Sequence, residues 1–189
     1  MNKYTTFSPR CSLATVGVRM RRLGIWLLVE NGGHFQQKTV KHTPLEKLRD
    51  AFINILAGGQ GLCEINTRVR PDRALQRAFG RARCADQSQV SRTLNCCVED
   101  NVIEMRQANR ETYQTHSEGY RHDYEQQWQV LDVDTSGMPA GKQGEQVTKG
   151  YFSGKRGRRG RQLGRVWATL YEEVIVDRLY SGKIQLEKS

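Results

Sequence analysis

The sequence lacks an apolar run long enough to cross a membrane. The apolar stretch Leu23 to Val29 spans about a third of the ~20 residues that a membrane helix needs. It follows Arg21 and Arg22, as the apolar part of a signal peptide would, but it begins too late in the chain and no small-residue cleavage site follows it. We therefore expect neither a membrane span nor a signal peptide.

Cysteine and histidine do not occur at the spacings of a disulfide framework or a metal site. The cysteines are odd in number and irregularly spaced, which argues against a framework and against a Cys-x-x-Cys zinc knuckle. They are Cys11, Cys63, Cys84, Cys96 and Cys97. The four histidines do not fall at a metal spacing with these cysteines. A reducing cytosol is the simplest environment for such a chain.

Acidic residues are also few. The 189 residues include 20 Asp and Glu against 30 Lys and Arg, which gives a formal net charge of +10. Such an excess of positive charge favours a polyanionic partner. Nucleic acid is the first candidate, and an acidic membrane surface is the second. The length allows one full domain or two small ones.

The first two thirds of the chain have helical periodicity. Residues 12–30 predict one amphipathic helix, which Asn31-Gly32-Gly33 ends. Thr43-Pro44-Leu45-Glu46 predicts the start of the next helix, because a threonine N-cap, a proline at the first helical position and a glutamate three residues after the cap form a capping box. This helix is expected to end at Gly58-Gly59.

Two short helices are predicted next, over Pro71 to Phe79 and over Gln87 to Val98. The second is expected to bury Val90, Leu94 and Cys97 and to leave polar side chains outward. A helix, a turn and a helix with long polar side chains are typical of a helix-turn-helix DNA reader. A small helical bundle with a solvated face explains the same pattern. The candidate DNA-binding residues are Gln87, Gln89 and Arg92.

Strand-like periodicity replaces helical periodicity after a polar connecting helix predicted over residues 99–127. The predicted strands, rich in Val, Ile, Trp and Tyr, are Val130 to Thr135, Leu163 to Leu170 and Glu173 to Tyr180. Three strands without covering helices cannot bury both faces of a mixed sheet. We therefore expect the chain to stop inside a domain.

Asp132 and Asp134 stand two residues apart on the first predicted strand, which places both carboxylates on one face. Two like charges so close together are costly unless a cation compensates them. Mg²⁺ prefers carboxylate oxygens, so this pair is a candidate metal site. The structural alternative is that one of the two caps the turn at Ser136-Gly137.

The segment from Gly141 to Arg165 is strongly basic. It holds eight Lys or Arg against one acidic residue, Glu145. Glycine lets the backbone approach phosphates, arginine binds them in a bidentate way, and Tyr151 or Phe152 can stack on bases. A solvated flexible loop is the alternative. The candidate DNA-binding residues are Lys149, Lys155, Arg156, Arg158, Arg159 and Arg161.

Several motifs of this chain are specific when taken together. They include Leu131-Asp132-Val133-Asp134-Thr135, the Gly141-Lys142-Gln143-Gly144-Glu145 turn, Lys149-Gly150-Tyr151 and the following Arg-Gly run. In this combination they resemble the start of the catalytic domain of bacterial insertion-sequence transposases of the DDE type. The upstream stretches Ile65 to Leu75 and Asp86 to Leu94 are similar to the helical N-terminal region of the same proteins.

The resemblance, which runs from about Thr39 to the end, implies an α+β chain in three parts. Residues 1–42 hold an N-terminal helix and connector, residues 43–127 a helical DNA-binding-like domain, and residues 128–189 the first three strands of an incomplete ribonuclease H-like α/β catalytic domain. Asp134 best matches the first catalytic aspartate and metal ligand of the family, and Asp132 is the second choice. No residue after Asp134 matches the second aspartate or the glutamate of the family.

The implied parent enzyme binds Mg²⁺, cuts the DNA at the ends of its element and joins those ends to a target. It works in the bacterial cytoplasm at the nucleoid, with no membrane partner, and a homodimer is compatible with the resemblance. The fragment itself is expected to lack catalysis, because one carboxylate cluster cannot hold two metal ions. The alternative is a complete, non-catalytic basic protein that binds nucleic acid.

Overall fold

The computed structural model describes residues 7–32, 35, 37, 41–152 and 154–183. The chain divides into two compact units, residues 1–112 and residues 113–189. The first unit is helical, and the second contains a four-stranded antiparallel sheet. The molecule therefore has the mixed α+β class that its sequence predicts. None of the described helices is long and apolar enough to cross a membrane.

The described helices are α1 (Cys11–Arg22), α2 (Ile25–Gly32), α3 (Pro44–Leu56), α4 (Arg73–Ala78), α5 (Gln87–Asn95) and α6 (Glu99–His116), with a π-helical turn at Ile65–Val69 and a 3₁₀ turn at Gly119–Arg121. The prediction of a single helix over residues 12–30 is wrong. Gly24, between α1 and α2, has a φ of +67°. This left-handed conformation favours glycine and interrupts the helix.

The start of α3 follows its local sequence, and the predicted capping box is confirmed. The Thr43 side chain accepts a hydrogen bond from the Glu46 N–H at 3.1 Å, and the Glu46 carboxylate accepts one from the Thr43 N–H at 2.8 Å. Pro44 occupies the first helical position. Gly58, with a φ of +77°, lies just after the helix. Such caps leave few unpaired backbone groups at the two helix ends.

The core of the helical unit draws on residues far apart in sequence. Its fully buried side chains include Ile53 of α3, Leu75 of α4 and Val90 of α5. Leu13 and Met20 of α1 pack against the same core. The predicted N-terminal region, residues 1–42, therefore shares a core with the helices that follow it. The functional division at residues 42 and 127 stays a prediction.

A buried ion pair joins α3 to the loop that precedes α5. The Arg81 guanidinium donates to both carboxylate oxygens of Asp50, at 2.8 and 3.1 Å. Asp50 also accepts the Ala85 N–H at 2.7 Å. Asp50 is fully buried and Arg81 almost so. Removing one partner of such a pair leaves a buried charge uncompensated, which costs about 3–5 kcal/mol.

The sheet contains one more strand than predicted. Its strands are β1 (Leu131–Pro139), β2 (Thr148–Phe152), β3 (Lys155–Ala168) and β4 (Glu173–Ser181). β3 pairs with β1, β2 and β4, in each case antiparallel. Most of the basic run lies in β2 and β3, so the alternative of a solvated flexible loop is wrong for that part of it. The helix start considered at residues 184–188 lies outside the described residues.

Phe152 is the most deeply buried large side chain of the sheet unit and is enclosed by glycines. A Cβ atom added to Gly137, Gly150 or Gly182 would lie 2.8–2.9 Å from its ring. A Cβ added to Gly160 would lie 3.0 Å from the ring and 2.5 Å from a backbone oxygen. Phe152 is only 1% exposed. A side chain larger than glycine at any of these positions would therefore clash with the Phe152 ring.

One face of the sheet carries apolar side chains that remain open to solvent. Val133 of β1, Val166 of β3 and Val176 of β4 are aligned in register. Val133 is 58% exposed and Val176 is 50% exposed. A typical antiparallel sheet packs one face against a core, and this row has no such cover among the described residues.

Glu173, the first residue of β4, ties the sheet to the turn that follows α6. Its carboxylate accepts hydrogen bonds from the Ser117 hydroxyl and from the N–H groups of Glu118 and Gly119, the latter two at 3.0 Å. Burial opposes the charged form, but these hydrogen bonds together outweigh it, and the pKa of Glu173 is lowered.

Candidate nucleic-acid interface

The paired strands β2 and β3 place the predicted DNA-binding cations on both faces of the sheet. Lys149 of β2 stands opposite Arg159 of β3, so these two side chains share a face. Arg158, next in sequence to Arg159, points to the other face. Lys149, Arg156 and Arg158 are exposed, and Arg159 is half-buried. The paired strands β2 and β3 therefore form a two-stranded ribbon with positive charge on both of its faces.

Phe152 is buried, so the expectation that it stacks on a base is wrong. The side chains of Tyr151 and Lys155 lie outside the described residues.

Arg161 is committed to the sheet itself. Its guanidinium donates to the backbone oxygens of Tyr180 and Leu179 at 3.3 and 3.2 Å, and to the Gln146 side chain at 3.2 Å. These contacts bridge β3, β4 and the turn before β2. Arg161 was predicted to bind DNA, and the structure engages its donors in protein contacts.

Arg165 is also engaged within the sheet. It lies between Asp134 of β1 and Asp177 of β4 in the register. Its guanidinium forms a bidentate pair with Asp177, with distances of 2.7 and 2.8 Å. These hydrogen bonds raise the pKa of Arg165 and lower the pKa of the Asp177 carboxyl. The sequence did not predict this pair, because its members lie on different strands.

Asp132 and Asp134 lie on β1 and share one face, as predicted. Both are exposed. Asp132 is paired in register with Trp167, and Asp134 with Arg165. One Asp134 carboxylate oxygen accepts the Thr135 N–H at 2.7 Å. The alternative that one aspartate caps a turn at Ser136-Gly137 is wrong, because both residues lie within β1 and pair with β3.

The described residues do not fit a complete Mg²⁺ centre. Two-metal catalysis needs ions about 3.5–4 Å apart with carboxylates from several elements. Asp177, the nearest carboxylate in the same row, lies two strands from Asp134, a separation of about 10 Å at the usual strand spacing. Among residues that the structure describes, no group of three or more His, Cys, Asp or Glu is placed to hold a metal ion.

The predicted DNA-contacting face of α5 is solvent-accessible. Gln89 and Arg92 are exposed, and Gln87 is half-buried. Val90 and Thr93 face the core. The prediction that Leu94 is buried is wrong, since it is 40% exposed. The helix also ends at Asn95, not at Val98.

The arrangement around α5 differs from a helix-turn-helix in its connection. Asp86 caps α5 through a 2.9 Å hydrogen bond from the Ser88 N–H. The residues between α4 and α5 are 79–86, whereas the helix-turn-helix motif uses a turn of roughly 3–4 residues. The main packing partner of α5 is α3, and that of α4 is α1. DNA contact by Gln87, Gln89 and Arg92 stays a prediction.

Comparisons with protein-family models, with curated proteins and with solved structures found no match to this chain.

Proposed function

We propose that the chain binds duplex DNA, and that it does so as part of a transposase of the DDE type. The observation that carries the proposal is the β2–β3 ribbon, on which Lys149, Arg156 and Arg158 are exposed. No ion pair joins these three to an acidic side chain among the described residues. Cations that are free of protein partners can each replace a counterion on a DNA phosphate.

The transposase part of the proposal rests on the sequence motifs. In their favour, β3 pairs antiparallel with both β1 and β4, and the first of these strands carries Asp132 and Asp134. This is compatible with the first strands of a ribonuclease H-like domain. Asp134 is the proposed first catalytic carboxylate, but no cleavage step is assigned to the described residues, because they do not complete a metal centre.

The test is the salt dependence of duplex binding. Replacing Arg156, Arg158 and Arg159 with glutamine removes three ribbon cations. Because each phosphate contact contributes about 0.9 to the slope of log K against log salt concentration, the slope is expected to fall by roughly two to three units.

A matched control removes the same charge elsewhere. Arg19, Arg106 and Arg110 are exposed on α1 and α6, and their replacement with glutamine is expected to leave the slope nearly unchanged. Equal effects of the two triple variants would show that net charge alone, and not the ribbon, sets the affinity. Absence of duplex binding by the unchanged protein would refute the proposed function.

The alternative function is a non-catalytic protein that binds nucleic acid. The absence of a metal-binding group among the described residues is the observation in its favour. NMR with Mn²⁺ distinguishes the two. Selective broadening of the Asp132 and Asp134 amide signals, lost in Asp134→Asn, supports the transposase assignment. Uniform or absent broadening removes this support for the transposase assignment.

A further inference from the structure

A second concentration of positive charge lies in the helical unit, around a cavity near the start of α5. The cavity measures about 270 Å³. Pockets for drug-sized ligands measure roughly 300–1,000 Å³ and are mostly apolar. This cavity is smaller, and most of the residues that line it are polar or charged. Its size and chemistry suit a small charged group.

The lining brings together four cations from three separate segments. They are Lys41, Arg70, Arg73 and Arg83. Asp86, the one carboxylate among the described residues of the lining, is occupied: Arg70 pairs with it at 2.9 Å, and it also caps α5. Within the part of the chain that the structure describes, Lys41, Arg73 and Arg83 have no acidic partner. Converging like charges repel unless an anion neutralises them.

His42, which also lines the cavity, adds little positive charge at neutral pH. Burial, and after it the nearby charge of Arg81, lower the pKa of its imidazole. Asp50 and Glu46 act in the opposite direction and do not reverse the shift. The positive charge of the cavity therefore comes from its lysine and arginines.

Gln76 makes the floor of the cavity rigid. It is only 2% exposed. Its amide nitrogen donates to the carbonyl oxygens of Val69 and Arg70 at 2.8 and 2.9 Å, and its amide oxygen accepts the Cys84 N–H at 2.8 Å. One side chain thus holds the two segments that carry Arg70 and Arg83. The backbone that carries Arg70 and Arg83 is therefore fixed in position.

We propose that this cavity binds one phosphate group of a DNA backbone, held chiefly by Arg73 and Arg83. Arginine matches the geometry of phosphate oxygens with two parallel donors. Gln89 of α5 also lines the cavity, so a phosphate bound there lies beside the helix face predicted to contact DNA. This inference rests on the proposed function, since it names a second contact for the same partner.

The experiment uses the whole chain and the double variant Arg73→Gln/Arg83→Gln. Its matched control is Arg19→Gln/Arg106→Gln, which removes the same charge from exposed positions outside the cavity. The salt slope of duplex binding is expected to fall by roughly two units in the cavity variant and to stay unchanged in the control. Thermal unfolding checks that both variants remain folded.

A second measurement separates a DNA phosphate from free phosphate. Inorganic phosphate is titrated into the labelled protein while the amide signals of Cys84 and Gln89 are followed by NMR, with and without duplex DNA. Shifts that saturate and are then suppressed by bound duplex support the proposal. Phosphate shifts that persist unchanged with bound duplex overturn it in favour of a site for the free anion.

The inference and the proposed function fail in different ways. A normal duplex affinity with an unchanged slope in the cavity variant overturns the cavity as a DNA contact and leaves the ribbon intact. A slope that falls in the cavity variant but not in the ribbon variant supports the cavity and refutes the ribbon. No duplex binding by the unchanged protein overturns both.

Discussion

The glycines around Phe152 make a sharp prediction about the stability of the sheet unit. In Gly160→Ala, the new Cβ would lie 2.5 Å from the Met138 backbone oxygen and 3.0 Å from the Phe152 ring. Ordinary contacts begin at 3.4 Å. A backbone oxygen within a paired strand cannot rotate away as a side chain can. We expect overpacking of this kind to cost about 1–3 kcal/mol.

The matched control is Gly141→Ala. A Cβ at Gly141 meets nothing within 4 Å, and its φ is not positive. The substitution lowers the entropy of the unfolded chain by the same amount at both positions, so their difference isolates the packing cost. For a unit of this size, 1 kcal/mol shifts the unfolding temperature by about 4–8 °C. Gly160→Ala is therefore expected to unfold roughly 5–20 °C below the control.

The assay is thermal unfolding followed through the indole N–H signal of Trp167, which lies in β3 and reports on this unit. A double-variant cycle then tests the cause. In Gly137→Ala the close contact is with the Phe152 ring, at 2.8 Å, so Phe152→Leu is expected to recover about 0.5–3 kcal/mol of its cost. Phe152→Leu should recover a smaller part of the cost of Gly160→Ala, because the contact with the Met138 oxygen remains in place.

Two results would refute this reasoning. If Gly160→Ala and Gly141→Ala unfold within a degree or two of each other, the enclosure around Phe152 does not constrain the fold. If Phe152→Leu recovers both glycine variants equally, the backbone contact at Gly160 contributes nothing.

Two further predictions concern Glu173 and Asp134. Because the pKa of Glu173 is lowered in the folded protein, its ionised form stabilises the fold above its unfolded pKa of 4.5, and this contribution is lost as the pH falls through the folded pKa. Glu173→Gln should therefore be less stable than the unchanged protein at pH 7 by about 1 kcal/mol and equally stable in strong acid. The measurement is chemical denaturation across pH, with Glu172→Gln as the control. A stability difference that does not depend on pH would contradict this prediction. The 189-residue chain should show no Mg²⁺- or Mn²⁺-dependent nicking of supercoiled DNA, and nicking that is lost in Asp134→Asn would show that a working metal site is already present.

The features that sequence predicted well are those determined by neighbouring residues. The capping box of α3 depends on residues three apart, and the shared face of Asp132 and Asp134 depends on strand alternation. The break at Gly24 was missed because the apolar spacing continues across it. In that case the backbone conformation of one glycine outweighed the periodicity.

The features that sequence did not predict depend on distant pairing. Strand β3 runs through Gly-Arg repeats of low strand propensity, and its pairing with β1, β2 and β4 stabilises it instead. The hydrogen bonds of Arg161 and Arg165 to residues of β4 follow from that pairing. The cavity cations are likewise brought together by Gln76, across segments with no shared motif. A count of basic residues cannot distinguish engaged cations from available ones.

The buried pair of Arg81 and Asp50 affects how genetic results on this protein should be read. Asp50 never meets solvent, yet it holds the Ala85 N–H immediately before the helix that carries Gln89 and Arg92. If the proposed DNA contact by α5 is correct, a screen for loss of DNA binding would recover Asp50 substitutions alongside those at the surface. Recovery in such a screen would identify residues that set the orientation of α5 together with residues that touch the ligand. Only a stability measurement on each variant separates the two groups.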